Sequence, residues 1–98
     1  MVLPDEDPAE YETLFNNYYR EFAPFGPDER ARVDMLIYHD WSRRRVQRFQ
    51  AQLEPCAGHP TAAHYLEYAV QRLALIDRSY ARTLKELCAL QRKRTKTA

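Results

Sequence analysis

The sequence predicts an all-α fold, a three-helix bundle in which a long antiparallel helical hairpin has a short N-terminal helix packed on it. Glycine is scarce, with two residues in 98, and the six prolines lie just before or at the starts of the predicted helices. Apolar residues recur at spacings of three and four along the rest of the chain, which is typical of amphipathic helices. The length and an apolar share of 45% suit one folded domain, residues 1–98.

The first predicted helix covers residues 7–23 and begins at the motif D-P-A-E. Asp7 is a favourable N-cap, Pro8 suits the first helical position, and Glu10 can complete a capping box. The run A-P-F-G-P then ends the helix. The apolar face between these two signals consists of Tyr11, Leu14, Phe15, Tyr18 and Phe22.

The second predicted helix covers residues 27–54 and has two apolar stripes. A short stripe of Val33, Ile37 and Trp41 stops at the middle of the helix. Because the first helix reaches back only to about residue 43, we expect it to cover this short stripe, with its first turn over Trp41. The long stripe should pack on helix three, and it consists of Met35, Tyr38, Ser42, Val46, Phe49 and Leu53.

The third predicted helix covers residues 60–93 and is followed by a basic tail, residues 94–98. It has the most regular pattern in the chain, a heptad seam that extends over nearly four heptads. Because short loops make neighbouring helices antiparallel, this seam should pack against helix two. The seam consists of Leu66, Ala69, Leu73, Ile76, Tyr80, Thr83, Leu87 and Leu90.

Charge is distributed unevenly along the chain. Residues 1–40 hold ten acidic and three basic side chains, whereas residues 41–98 hold four acidic and twelve basic ones. The densest basic stretch is D-W-S-R-R-R-V-Q-R-F, residues 40–49. The acidic start D-E-D, residues 5–7, can neutralise Arg43–Arg45 within the molecule, or these arginines can bind a nucleic acid. We expect internal neutralisation for much of the cluster.

Some basic residues have no acidic neighbour in the sequence. Arg48 and Arg72 lack an acid three or four positions away, and no acid follows Glu86. We therefore expect these two side chains and the C-terminal basic run to be free for an anionic partner. The candidate nucleic-acid-binding residues are Arg44, Arg45, Arg48, Arg72, Arg92, Lys93 and Arg94.

Part of the apolar surface should stay uncovered, because the first helix is too short to cover the whole hairpin. Burial of apolar surface contributes about 25 cal/mol per Å², so we expect a homodimer or a larger hetero-complex. Tyr65 and Tyr68 fit a core poorly, and helix three extends past helix two near its C-terminus. The candidate partner interface comprises Tyr65, Tyr68, Leu84, Leu87 and Leu90.

The sequence has no motif typical of catalysis or cofactor binding. It contains no Gly-rich phosphate loop or H-E-x-x-H motif, and Cys56, His59 and His64 lack the fourth ligand of a structural zinc site. We expect no enzymatic activity, cofactor, metal or small-molecule substrate. No apolar run approaches membrane-spanning length, so we expect a cytoplasmic protein with no membrane partner. Cys88 fits an apolar helix face and is expected to be buried.

The opening V-L-P-D-E-D-P-A-E-Y, the stretch W-S-R-R-R-V-Q-R and the long Arg/Leu-rich helix resemble a family of uncharacterised bacterial helical proteins. Members of that family usually begin with a basic segment containing N-A-x-K-H-G-L, and they favour glycine at the position of Asp5. The resemblance implies a helical fold and a bacterial source, with no established activity. Because this chain lacks the basic segment, the resemblance also implies a fragment or a trimmed relative of a longer protein.

Two functions are expected as alternatives. The first is a non-enzymatic helical adaptor or small subunit of a nucleoprotein assembly, which contacts nucleic-acid phosphates through a basic helix face and tail. The second is a protein-binding homodimeric scaffold whose charges are neutralised internally. Binding to an anionic polymer that weakens steeply with salt supports the first, and self-association without such binding supports the second.

Overall fold

A computed structural model, which describes residues 2–97 and the side chains of residues 2–96, confirms the all-α three-helix architecture. The helices are α1 (Pro8–Phe22), α2 (Gly26–Leu53) and α3 (Pro60–Thr97), and a short 3-10 helix, η1 (Glu54–Cys56), joins α2 to α3. No strand occurs among the described residues. α2 and α3 form the hairpin, and α1 packs on α2.

Local backbone features fix the start of α1 and the turn between α1 and α2. The side chain of Asp7 caps the start of α1 by accepting a hydrogen bond of 2.9 Å from the Ala9 N–H. Ala23 ends α1 with a φ of 42°, and Gly26 begins α2 with a φ of 81°. Glycine reaches that conformation without a steric cost, which explains its place in A-P-F-G-P.

The predicted basic tail at residues 94–98 is wrong, because α3 continues as a helix to Thr97. Its last turns are held by contacts to the α1–α2 turn, where Gln91 donates a hydrogen bond of 2.7 Å to the Phe22 carbonyl. At 1.5 Å per residue, the 38 residues of α3 extend about 57 Å, close to the longest dimension of the molecule, 58 Å. Met1 and Ala98 lie outside the described residues.

The main core lies where α1, the first half of α2 and the C-terminal half of α3 meet. As expected, α1 covers the short stripe of α2, and the Tyr11 ring meets the Trp41 ring edge-on with centroids 5.2 Å apart. The heptad seam of α3 also packs inward, since each of its eight side chains is buried or half-buried. The buried cluster consists of Leu14, Val33, Leu36, Ile37, Trp41 and Leu87.

The predicted packing face of α2 is wrong at three of its six positions. Met35, Tyr38 and Phe49 are 45%, 60% and 40% exposed, whereas Ser42, Val46 and Leu53 are half-buried. The inward face is shifted by about one residue and contains several charged side chains, which pair with residues of α3. The buried and half-buried positions at heptad spacing are Glu29, Arg32, Leu36, His39, Arg43, Val46, Gln50 and Leu53.

Candidate functional site

The arginines of the basic stretch in α2 are neutralised by acids within the molecule. Arg43 Nη2 lies 2.6 Å from Asp77 Oδ1 of α3. Arg44 pairs with Asp40 one turn earlier, at 3.0 Å, and with Glu10 of α1, at 3.3 Å. Internal neutralisation is therefore present, but of Arg43–Arg45 only Arg45 finds its acid, Glu6, in the expected start at residues 5–7. The other acids come from α1, α2 and α3.

Trp41 and two arginines of the basic stretch bind the same carboxylate, that of Glu6, which explains why they lie close together on α2. Its side chain is 3% exposed, and its carboxylate accepts hydrogen bonds of 2.8 Å from Arg45, 2.7 Å from Arg48 and 3.1 Å from Trp41 Nε1. The Leu3 N–H donates another, of 2.8 Å. The prediction that Arg48 is free is wrong, because its acidic partner is distant in sequence.

Glu29 is the centre of a second ion pair, at the other end of the main core. Arg94 Nε donates a hydrogen bond of 2.7 Å to Glu29 Oε2, and the Phe25 N–H and Gln91 also donate to this carboxylate. Arg94, predicted to be free for a nucleic acid, is thus paired. In the sequence, the heptad spacing of Glu29 from Leu36 is the signal for its burial.

Both buried carboxylates should make stability depend on pH. Hydrogen bonding to Arg45 lowers the pKa of Glu6 from 4.5 to about 2, and hydrogen bonding to Arg94 lowers the pKa of Glu29 equally. A carboxylate with a lowered pKa stabilises the fold above its unfolded pKa and loses that contribution as the pH falls through the folded one. The wild type should therefore lose stability steadily between pH 5 and pH 2.

The double variant Glu6→Gln/Glu29→Gln tests this linkage by urea unfolding at several pH values. It should be less stable than the wild type at pH 7 and should show a flatter pH dependence below pH 5. Glu12→Gln, at an exposed position of α1, is the matched control and should behave as the wild type. An equal acid dependence in all three proteins would contradict the assigned ion pairs.

A tyrosine network joins the three helices. Tyr18 donates a hydrogen bond of 2.6 Å to Asp40, and its hydroxyl lies 2.7 Å from that of Tyr80 in α3. Burial, followed by the hydrogen bond with Asp40, raises the pKa of Tyr18 well above its usual value. Tyr38 was also expected in the core, but it is exposed, since it belongs to the stripe that does not pack. The hydroxyls of Tyr18 and Tyr80 therefore have structural partners.

The basic side chains that remain exposed lie mainly on α3. Its outer face, opposite the heptad seam, has a row of cations with no ion pair to any described residue. We call it the outer stripe, and it consists of Arg78, Arg82, Lys85, Arg92 and Lys96. Of the predicted nucleic-acid-binding residues, Arg92 belongs to it, Lys93 is exposed beside it, and Arg72 lies nearer the groove between α2 and α3. In the sequence, the i, i+4, i+7 spacing of Arg78, Arg82 and Lys85 indicates that these side chains share one helix face.

The candidate partner interface divides into two parts. Leu87 is fully buried and Leu84 packs against the core, so Leu87 cannot contact a partner. This part of the prediction is wrong because α1 packs at that level of the hairpin. Leu90 is half-buried, whereas Tyr65 and Tyr68 are exposed near the α2–α3 loop.

An open apolar groove of about 530 Å³ lies at the loop end of the hairpin. α1 does not reach this end, and the Phe49 and Tyr65 rings meet edge-on across the groove with centroids 6.3 Å apart. No Asp, Glu, Lys or Arg side chain lines it. We call this surface the loop-end groove, and its lining residues are Phe49, Leu53, Cys56, His59, Thr61, Ala62 and Tyr65.

Both cysteines are exposed thiols, so the prediction that Cys88 is buried is wrong; the neighbouring Leu87 takes the inward position. Within residues 2–97, no group of three or more His, Cys, Asp or Glu side chains is arranged to hold a metal ion. Within the same range, none of the helices is apolar over a length that would cross a membrane. No family model, curated protein or solved structure matches this chain.

Proposed function

We propose that this chain is a non-enzymatic, protein-binding helical scaffold that forms a homodimer through the loop-end groove. The groove carries the proposal, because it exposes aromatic and aliphatic side chains and no Asp, Glu, Lys or Arg side chain lines it. Exposed apolar surfaces of this kind are typical of protein interaction sites. Internal neutralisation of Arg43–Arg45 and Arg48 also favours this function, since those cations already have partners.

A second copy of the chain is the partner that the groove fits best. Pairing the same patch about a two-fold axis places one largely apolar surface opposite another, so that no carboxylate, ammonium or guanidinium group is buried without a partner. Phe49 and Tyr65 would then meet their counterparts, and aromatic residues dominate the energetics of such contacts.

The two exposed thiols, Cys56 and Cys88, support the further proposal that the protein acts in the cytoplasm. Cytoplasmic reductants keep surface thiols reduced, whereas an oxidising compartment would convert them to disulfides. Cys56 lines the loop-end groove, so its chemical state would directly affect dimerisation.

The Phe49→Glu variant is expected to be monomeric where the wild type is dimeric. Burying a carboxylate against a copy of itself is costly, and the substitution also removes the ring that supplies much of the apolar interface. Sedimentation equilibrium over a concentration series measures the effect, which should exceed a tenfold increase in the dimer dissociation constant.

Met35→Glu is the matched control. Met35 is exposed to nearly the same extent as Phe49 and lies on the same helix, about 21 Å away. This variant should dimerise as the wild type does.

A bulky anionic thiol reagent on Cys56 should also block association, and the same reagent on Cys88 should not. A wild type that stays monomeric at high micromolar concentration would overturn the proposal.

The outer stripe favours a second candidate function, the adaptor or small subunit of a nucleoprotein assembly. Its five cations lie on one helix face between Arg78 and Lys96, over a length of about 27 Å, and all are exposed. Such a row suits contacts to successive phosphates of a nucleic acid, without reading its sequence. An exposed charged face that serves only solubility is the competing explanation.

Salt dependence distinguishes these two explanations of the outer stripe. If the stripe binds phosphates, neutralising Arg78 and Arg92 should reduce the salt slope of single-stranded oligonucleotide binding by about 0.7 for each phosphate that the protein no longer neutralises. Neutralising Arg20 and Arg30, two exposed arginines outside α3, is the charge-matched control. Fluorescence anisotropy at several salt concentrations measures the slope, and an equal reduction in both variants would exclude a specific role for the stripe.

A further inference from the structure

The segment that joins α2 to α3 presents two residues of metal-binding type to the loop-end groove. Cys56 and His59 are both exposed, and both line the groove. Neither side chain forms a hydrogen bond, ion pair or ring contact with another described residue. A cysteine thiolate and a histidine imidazole are ligands that zinc prefers in structural sites.

The backbone holds these two residues close together. The His59 N–H donates a hydrogen bond of 2.9 Å to the Cys56 carbonyl, and in a turn closed in this way the two Cα atoms lie within about 7 Å of each other. Pro55 and Pro60 stand on either side of the turn and restrict its backbone. Structural zinc sites commonly take a pair of ligands with this spacing from one short segment. One chain therefore supplies half of a tetrahedral site.

A second copy supplies the other half in the homodimer through the loop-end groove. In a two-fold contact, a residue beside the axis lies next to the same residue of the partner. If the axis passes beside Cys56 and His59, two sulfur atoms and two ring nitrogens surround one point. This is the number and type of ligands in a closed structural zinc site. The fourth ligand that a single chain lacks is thus provided by symmetry, without His64.

We propose that one zinc ion bridges two copies of this chain at the loop-end groove, bound by Cys56 Sγ and a ring nitrogen of His59 from each copy. This inference rests on the proposed homodimer. Each thiol releases its proton to solvent and its sulfur donates an electron pair to the metal, whereas each imidazole binds in its neutral form. Two thiolates balance the charge of Zn²⁺, so the neutral complex suits an apolar interface. No Asp or Glu lines the groove, and a donor set of sulfur and nitrogen favours zinc over magnesium or calcium.

The experiment is sedimentation equilibrium of the full chain in Zn²⁺ and in EDTA, in both cases with a reductant that prevents a disulfide between two Cys56 residues. Zinc should lower the dimer dissociation constant by about tenfold or more, and its titration should saturate at one ion per two chains. Cys56→Ala and His59→Asn should each remove this effect of zinc. With Co²⁺ as the probe, the wild type should show the visible absorption of a tetrahedral thiolate site, and Cys56→Ala should not.

Cys88→Ala and His64→Asn are the matched controls, because both residues are exposed and neither lines the groove. Each variant should respond to zinc as the wild type does. Association in EDTA measures the apolar contact alone, so it tests the homodimer separately from the metal site. Equal dissociation constants in Zn²⁺ and EDTA, or saturation at one zinc per chain, would overturn the zinc site and leave the homodimer standing. A chain that stays monomeric in both solutions would overturn both.

Discussion

Replacing Trp41 with alanine is expected to lower the free energy of unfolding by about 3–5 kcal/mol, as for other large buried aromatic residues. The indole is 2% exposed, and it fills the space between α2 and the first turn of α1. Its removal leaves a cavity beside Tyr11 and takes one hydrogen-bond donor from the buried carboxylate of Glu6. Both changes act in the same direction.

Urea unfolding followed by circular dichroism measures this loss, at one protein concentration because association shifts the apparent stability. Tyr38→Ala is the control, since Tyr38 is also a large aromatic residue of α2 but is exposed. It should change stability by no more than about 0.5 kcal/mol. Equal effects of the two substitutions would mean that α1 does not cover the Trp41 side of α2.

The sequence predicted best those parts of the fold that depend on apolar periodicity. The seam of α3 repeats over several heptads with aliphatic residues at most positions, and Trp41 continues the spacing of Val33 and Ile37. The short length of α1, counted back from the turn that joins it to α2, then limited how far it could extend along α2. These features need only local spacing and helix length, both of which can be read from the residues.

Ion pairs between distant segments could not be predicted in the same way. Rules for charges on a helix relate residues three or four positions apart, and by those rules Arg48 has no partner. Its partner, Glu6, is 42 positions away and is brought near when α1 folds back on α2. The same holds for Arg94 and Glu29, separated by 65 positions. Both errors made the molecule look more basic at its surface than it is.

The inward face of α2 was missed for a related reason. A search for apolar residues favours Met35, Tyr38 and Phe49 over positions occupied by His39 and Arg43. In the structure, Arg43 pairs with Asp77 of α3, and its guanidinium lies 5.3 Å from the centroid of the Tyr80 ring. Arginine can bury its aliphatic stem in this way while its charge is neutralised. The displaced apolar stripe is therefore left partly exposed, and its Phe49 end forms the loop-end groove.

Leu36 and Met35 are neighbours that distinguish the two possible packing faces of α2. Leu36 is fully buried in the main core, so Leu36→Ala should cost about 2–5 kcal/mol of unfolding free energy. Met35→Ala should cost less than about 1 kcal/mol, because much of its side chain is already in water. If the long apolar stripe packed on α3 instead, the order of the two effects would be reversed.

The comparison is made by urea unfolding of both variants under the same conditions, with the slope of free energy against urea checked for a change in the exposed surface. Because the residues are adjacent in one helix and both changes are to alanine, differences in helix propensity are small beside the expected effect. A larger loss in Met35→Ala would show that α2 is rotated by about one residue from the arrangement described. The inward positions of His39 and Arg43 would then be wrong as well.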